Sequence, residues 1–501
     1  MSLTDAAFDV EAIQQQFGLT MAPRSLVVRD GLALWLDRAN GMRRLAVLAS
    51  PGEACLDEFE GTAEAGPEGA ALKWCALTHA NAYALRETIA WLKPQPLGLA
   101  TSAGFGDRLG MATPGHVLAL ERVLGETPGA TLLPIFAQQS IRENTRTGRT
   151  PDDVLADATW GTFEAGWRGG VGADADHLKT VEDVDACARA GFSFYTIDPG
   201  AYVDNEADTD APSVIQQKVD ALPWDTLESS AADLVRRYSG QRVVLEDRTI
   251  TLDTESIQRA AAKYARAIAH VAAMYGRVVS HSIPFELEVS VDETETPTTH
   301  AEHVYFVSEL QRLGVQWVSL APRFVGRFEK GVDYIGDLGA LQVDLDGHAA
   351  IARAFGSYKL SLHSGSDKFS VYPLIVAATR GIVHLKTAGT SYLEALRVLT
   401  HVNTGLFREI LAFGRQRYDE DRASYHVSAD VARVPAPESL SDAQLPALLE
   451  DFDAREVLHV TFGSALGQFE APLKETLRDH QDVYNQTLER HFYRHLKPFV
   501  A

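Results

Sequence analysis

The stretch GGVGADADHLKT, residues 169–180, and the run GFSFYTIDPG, residues 191–200, decide the fold. Asp174, Asp176, His177 and Lys179 crowd together where an apolar strand should be ending. Thr180, with Asp183 three residues on, has the form of a capping box that opens a helix with Val181, Val184, Cys187 and Ala188 on one face. Gly191 ends that helix, and the apolar run from Phe192 to Ile197 predicts a second strand closing on Asp198 and Pro199. The result is a β-α-β unit with polar groups at the carboxyl ends of both strands, where parallel α/β folds keep their chemistry.

Outward from this unit the same rhythm recurs. Strands are predicted in PLGLATSAGFGDRLG (96–110), ATLLPIFAQQS (130–140), IPFELEVSVDE (283–293), VQWVSLAP (315–322), YKLSLHSGS (358–366) and GIVHLKTAGTS (381–391). Thr113-Pro114 and Thr150-Pro151 open helices between them. Eight strand-helix units in about 300 residues fit an α/β fold of the (β/α)8 TIM-type barrel better than an open sheet. We place that catalytic barrel at 96–395, with an excursion near 204–260 that contains the hairpin-like RVVLEDRTITL (242–252). Residues 1–95 read as a small N-terminal α+β cap: an acidic amphipathic helix in MSLTDAAFDVEAIQQQFGL (1–19), a strand pair (25–38 and 42–50), a Gly/Glu/Pro-rich turn at 61–69, and a helix through TIAWLK (88–93). Residues 396–501 read as a helical C-terminal region.

Composition narrows the function. A net charge of −22 with no run of Lys and Arg argues against nucleic acid, whose phosphates demand a basic stripe. The opening residues lack a basic n-region, and no apolar run has the length of a membrane span, so a cytoplasmic protein without a membrane partner is expected. Cys55, Cys75 and Cys187 form no metal or redox pair and read as buried reduced thiols. A homo-oligomer is compatible with all of this.

A barrel would gather Asp107, Arg108, Gln138, Gln139, Arg142, Asp176, His177, Lys179, Asp198, Glu288, Asp292, Arg323, His363, Asp367, His384 and Lys386 on one rim. Histidines and carboxylates converging there predict a divalent metal cation of the Zn, Mn, Ni or Co type with an open coordination position. His177 beside Asp176 reads as a ligand, and His363 in SLHSGSD has polar neighbours and no apolar face to pack into. For His384, between Val383 and Leu385, a packing role competes. His300 and His303 share the first turns of a helix capped by Thr299 and Glu302, a place that favours neutral imidazole; His303 lies nearer the helix's apolar side. Glu286 and Glu288 alternate with apolar neighbours and point to one side of their strand, Glu288 nearer its carboxyl end. Arg142, Arg146 and Arg149 put guanidiniums in one loop, with a fork suited to a carboxylate, and Lys179 and Lys386 add ammonium groups at the rim. The glycines of GFGDRLG (104–110) have GxGxxxG spacing, which departs from the dinucleotide fingerprint.

The blocks GFGDRLG and ATPGH (104–116), DADHLKT (174–180), SVDETETPTT (290–299), LAPRFVG (320–326), FEKGVDY (328–334), LHSGSDKFS (362–370) and VHLKTAGTSYLEALR (383–397) resemble, in order, those of the tagaturonate/fructuronate epimerases. These are metal-dependent enzymes of hexuronate catabolism. The resemblance implies interconversion of two keto-hexonates that differ at a carbon β to the ketone, with His177, His303 and His363 as metal ligands and Asp176 and Glu288 as the acid-base pair. A proton at that carbon is not acidic, so retro-aldol cleavage and re-addition, or a transient oxidation, would have to invert it. Two other classes use the same pocket: a metal-dependent aldolase that releases its fragments, and a non-catalytic sugar-acid binding protein.

Overall fold

The computed structural model describes residues 21–29, 31–38, 43–51, 54–66, 69–387 and 389–500; the helix expected at 1–19 lies outside this set. The cap is a five-stranded antiparallel sheet of β1 (Val27–Arg29), β2 (Leu32–Asp37), β3 (Arg44–Ala49), β4 (Thr62–Ala65) and β5 (Ala71–Cys75), in the order β1-β2-β3-β5-β4. The stretch expected as a turn at 61–69 thus supplies an edge strand. Every residue of β4 is exposed, so it lacks the apolar alternation that would announce a strand. Leu34, Leu36, Val47 and Leu85 pack against Trp160 and Phe163 of the helix Pro151–Ala165, seating the cap on the barrel's flank.

The barrel strands are β6 (Ser102–Phe105), β7 (Leu133–Ser140), β8 (Gly172–Leu178) and β9 (Phe194–Ile197), then, after an excursion with the hairpin β10 (Gln241–Val244) and β11 (Thr249–Leu252), β12 (Glu286–Ser290), β13 (Ser319–Ala321), β14 (Lys359–Leu362) and β15 (Val383–Thr387). All eight pair in parallel, and β9 closes onto β12. The eighth strand's helix runs Thr390–Val402, across the boundary expected at 395.

Local sequence explains the joints. The boxes of Thr150 with Asp153, Thr180 with Asp183 and Thr299 with Glu302 all form. Thr113 does not cap; it lies inside its helix, and the Asp107 carboxylate takes the amides of Leu109, Gly110 and Ala112 at 3.1, 2.8 and 2.7 Å. The turn amides of GFGDRLG are therefore spent on Asp107 rather than offered to a phosphate. The helix Gln481–Leu496 lies so close on Thr113–Glu126 that a Cβ at Gly115 would come within 2.6 Å of Leu488. Cys75 and Cys187 are buried free thiols, whereas the Cys55 side chain is outside the described set. Among the described residues no helix is long and apolar enough to cross a membrane.

Candidate active site

Strand β8 breaks its own alternation at the barrel mouth. Neighbouring residues of a regular strand face opposite sides of the sheet, so Asp176 and His177 could not both point inward. The pairing with β9 shifts between Ala175 and Leu178, and His177 adopts a left-handed φ of +55°. Such a bulge re-aims side chains, and here it turns the imidazole in beside the carboxylate. His177 Nδ1 lies 2.7 Å from Asp176 Oδ1, and its Nε2 lies 3.6 Å from Asp292 Oδ1.

His363 follows β14 and meets the same carboxylate from the opposite wall. Its Nδ1 is 3.2 Å from Asp292 Oδ1, and its Nε2 is 2.6 Å from Glu288 Oε1. The two imidazoles and Asp292 form one group of convergent donors. Each imidazole is backed by its own carboxylate, the outer support that fixes tautomer and ring orientation in metal sites. Beneath them Lys386 Nζ sits 2.7 Å from Asp174, 2.7 Å from Asp176 and 2.9 Å from Glu288. Asp176 also accepts from Gln138 Nε2 at 2.8 Å, and Glu288 from Ser319 Oγ at 2.6 Å.

The electrostatics follow from one ammonium among three buried carboxyls. Burial alone would lower Lys386, but the three carboxyls raise it above its ordinary value. Burial pushes Asp174 up to about 7, helped by Asp176 and Glu288 and opposed by Lys386. Asp176 and Glu288 overcome their own burial through Lys386 and the adjacent imidazoles, and both stay well below the usual carboxylate range. Asp292 is likewise held down by His363 and His177 against burial. Burial works against protonation of His177, yet Asp176 carries it well above the ordinary imidazole value.

Several residues expected at the site stand elsewhere. His303 does not reach His177 or His363: its Nδ1 lies 2.8 Å from His348 Nδ1 and its Nε2 2.7 Å from Tyr358 OH, outside the strands. The buried side of its helix faces the helix Leu338–Ala354, so nearness to an apolar face did not mean nearness to the mouth. Asp292, and not His303, converges with His177 and His363. It shares parity with Glu288 and Ser290, and strict alternation carried past the strand end would have found it. Glu286 accepts the amide of Leu97 at 2.8 Å and that of Gly98, tying down the chain where it enters the barrel.

The cations divide in the same way. Arg142 is paired with Glu293 at 2.8 Å, Arg146 stacks on Tyr425, and Lys179 is half exposed and reaches Asp198 at 3.2 Å. Arg142, Arg323 and Lys330 line the pocket with Asp292 and His363. Lys330 Nζ donates to Ser364 Oγ at 2.6 Å and has no carboxylate partner among the described residues. Lys330 comes from a long irregular loop and Tyr425 from beyond the barrel, so no periodicity marked either.

A closed parallel barrel with imidazoles, carboxylates and ammonium groups at the carboxyl ends of its strands defines a (β/α)8 enzyme equipped for polar small-molecule chemistry. A profile of the tagaturonate epimerase family matches residues 23–499. The tagaturonate/fructuronate epimerase of Thermotoga maritima is 43% identical over 483 residues, covering 96% of each chain. The glycerol-complexed crystal structure of fructuronate-tagaturonate epimerase UxaE from Cohnella laeviribosi superposes with a TM-score of 0.89 at 34% identity, over 98% of this chain and 99% of that one. Its native structure matches with the same TM-score and identity. The chain belongs to the tagaturonate epimerase family and is by class an isomerase.

Proposed function

We propose that this protein interconverts tagaturonate and fructuronate, with a divalent cation held by His177 Nε2, Asp292 and His363 Nδ1. The observation that carries the reading is His177 Nε2, a buried nitrogen without a hydrogen-bond partner, aimed at the Asp292 oxygen that His363 also faces. Two imidazoles and one carboxylate are a donor set suited to zinc, nickel, cobalt or manganese. When bound, such an ion polarises the substrate ketone and favours the negative charge that cleavage leaves next to it.

The chain's own groups divide the remaining work. Lys330, without a carboxylate partner among the described residues, anchors the substrate carboxylate, and Arg142 adds its guanidinium when the substrate competes with Glu293 for it. Asp176 and Glu288 orient His177 and His363 from beneath the pocket, where Lys386, Gln138 and Ser319 hold their oxygens. Glu293 faces the pocket and, released when Arg142 turns to the substrate carboxylate, accepts the proton of the β-hydroxyl. As that O–H bond opens, the bond between the α and β carbons breaks, leaving an aldehyde and an enediolate. Re-addition to the other aldehyde face and return of the proton give the epimer.

The test is His363→Ala. A barrel of this size has core enough to fold without an ion, so the variant should lose turnover and the metal at the mouth while keeping a cooperative melt. Full activity in His363→Ala would remove the assignment. Accumulation of a trappable free aldehyde by the wild type would favour an aldolase.

A further inference from the structure

We propose that His300, Asp344 and His348 form a second divalent-cation site, on the outside of the barrel between the helices His300–Arg312 and Leu338–Ala354. Asp344 Oδ1 lies 3.7 Å from His300 Nε2 and 3.5 Å from His348 Nε2. These spans are too long for hydrogen bonds, whereas donors about 2.1 Å from one ion in tetrahedral array sit about 3.4 Å apart. The pocket donors His177, Asp292 and His363 show the same kind of spacing, 3.6 and 3.2 Å.

His348 supplies the independent sign. It is fully buried, and its Nε2 has no hydrogen-bond partner. Its Nδ1 meets His303 Nδ1 at 2.8 Å, and His303 Nε2 meets Tyr358 OH at 2.7 Å. If His348 donates in this relay, its Nε2 lone pair faces a carboxylate; if it accepts, its Nε2–H points at an oxygen 3.5 Å away. An ion between them resolves the first arrangement, with His303 and Tyr358 as its outer support. His300 is the partly exposed ligand, now giving its Nε2–H to the Asp344 carbonyl at 3.1 Å, so the remaining coordination positions open to solvent.

The surroundings permit a cation. Arg248 donates to Val343 O at 3.2 Å beside the site, but Asp247 neutralises it through two hydrogen bonds of 3.0 and 2.8 Å. Gly347 makes room for the ligand, since a Cβ there would lie 2.2 Å from His300 Nε2. The other oxygen of Asp344 accepts the amide of Val325 at 3.0 Å, in the loop whose Phe324 and Phe328 wall the pocket. An ion here staples two outer helices to that wall.

Cobalt(II) titration of the chelator-stripped full chain, read by visible absorption and by metal content after desalting, tests the site. The wild type should take one equivalent more than His300→Ala, and Gly347→Ala should lose that equivalent with all three ligands intact. His363→Ala should keep it, and cobalt should still raise its melting temperature, an increase absent when His300→Ala is added. If the barrel-mouth site itself fails, the wild type binds one equivalent that only the His300 and Gly347 variants remove, and the outer site stands. Equal cobalt content in wild type, His300→Ala and Gly347→Ala overturns the proposal.

Discussion

Glu288 Oε1 lies 2.6 Å from His363 Nε2, which leaves the other ring nitrogen, Nδ1, toward Asp292 at 3.2 Å. The same geometry recurs across the mouth, where Asp176 holds His177 by Nδ1 and leaves Nε2 toward the same carboxylate. Two strands on opposite walls thus present one donor each, and both tautomers are set from behind.

Glu288→Gln should therefore weaken metal binding without removing a direct ligand. The amide cannot balance Lys386 and His363 as the carboxylate does, and such outer partners are worth about 10- to 100-fold in affinity or activity. Zinc titration of the stripped protein checks this. Asp292→Asn, which alters a donor atom, should lose more. If Glu288→Gln binds zinc as tightly as wild type, its orienting role is wrong.

The substrate carboxylate should depend on Lys330 more than on Arg142. Arg142 already has Glu293, so its removal also frees an acid, whereas Lys330 hydrogen-bonds to Ser364 and has no carboxylate partner among the described residues. Lys330→Gln should raise KM for the uronate by about 10- to 100-fold, the range of a lost charged hydrogen bond. KM for the neutral ketohexose should change much less. Equal losses on both substrates would show that Lys330 shapes the pocket instead of reading charge.

Much of this architecture was legible in the sequence because parallel strands are buried on both faces. Runs such as LLPIFA and FSFYTI advertise themselves as strands, and polar residues mark where each one ends. The cap strand β4 gave no signal, being exposed along its length. At the site, Asp176, His177, Glu288 and His363 stood out because polar side chains interrupt apolar runs. His303 stood out for the same reason and belongs to another cluster, since sequence cannot say which neighbour a buried helix face meets. The bulge at His177 could not be foreseen, because only the register against β9 reveals it.

Four buried imidazoles should each weaken the fold as pH falls below 6.5. Burial holds the imidazoles of His116, His384 and His495 at about 3, and that of His491 at about 4, against an ordinary 6.5. The unfolded chain takes up protons below 6.5 that these groups refuse, so their stability is complete above 6.5 and is lost as pH falls toward the folded values. Each costs about 1.4 kcal/mol per pH unit in that window. His177 and His363 are raised and act with opposite sign, stabilising at low pH and losing that contribution as pH rises. Asp157, Asp174 and Glu456, raised by burial to about 6, 7 and 8, also stabilise as pH falls and oppose the four, so the histidine contribution is read as a difference between variants. Urea midpoints of the wild type and His116→Gln, compared at about pH 7.5 and about pH 5, isolate one of these contributions. His116→Gln, which keeps the contact to Ser391, should shift the balance toward greater stability at the lower pH, and an unchanged difference between the two pH values would refute the account.

The isotope course of the reaction tests the mechanism independently of any residue. In cleavage and re-addition the inverted carbon becomes an aldehyde and keeps its own hydrogen throughout. Direct deprotonation there would exchange it with solvent, and would demand an acid strength that a position β to the ketone lacks. Run in deuterated water, the enzyme should invert the centre without placing deuterium on it, while the enediolate carbon beside the ketone can exchange in side events. Glu293→Gln should slow turnover at unchanged metal content, because the hydroxyl proton loses its acceptor while His177, Asp292 and His363 keep their arrangement. Deuterium at the inverted carbon would rule out cleavage. Retention of that hydrogen together with a nicotinamide co-purifying with the protein would point to transient oxidation instead.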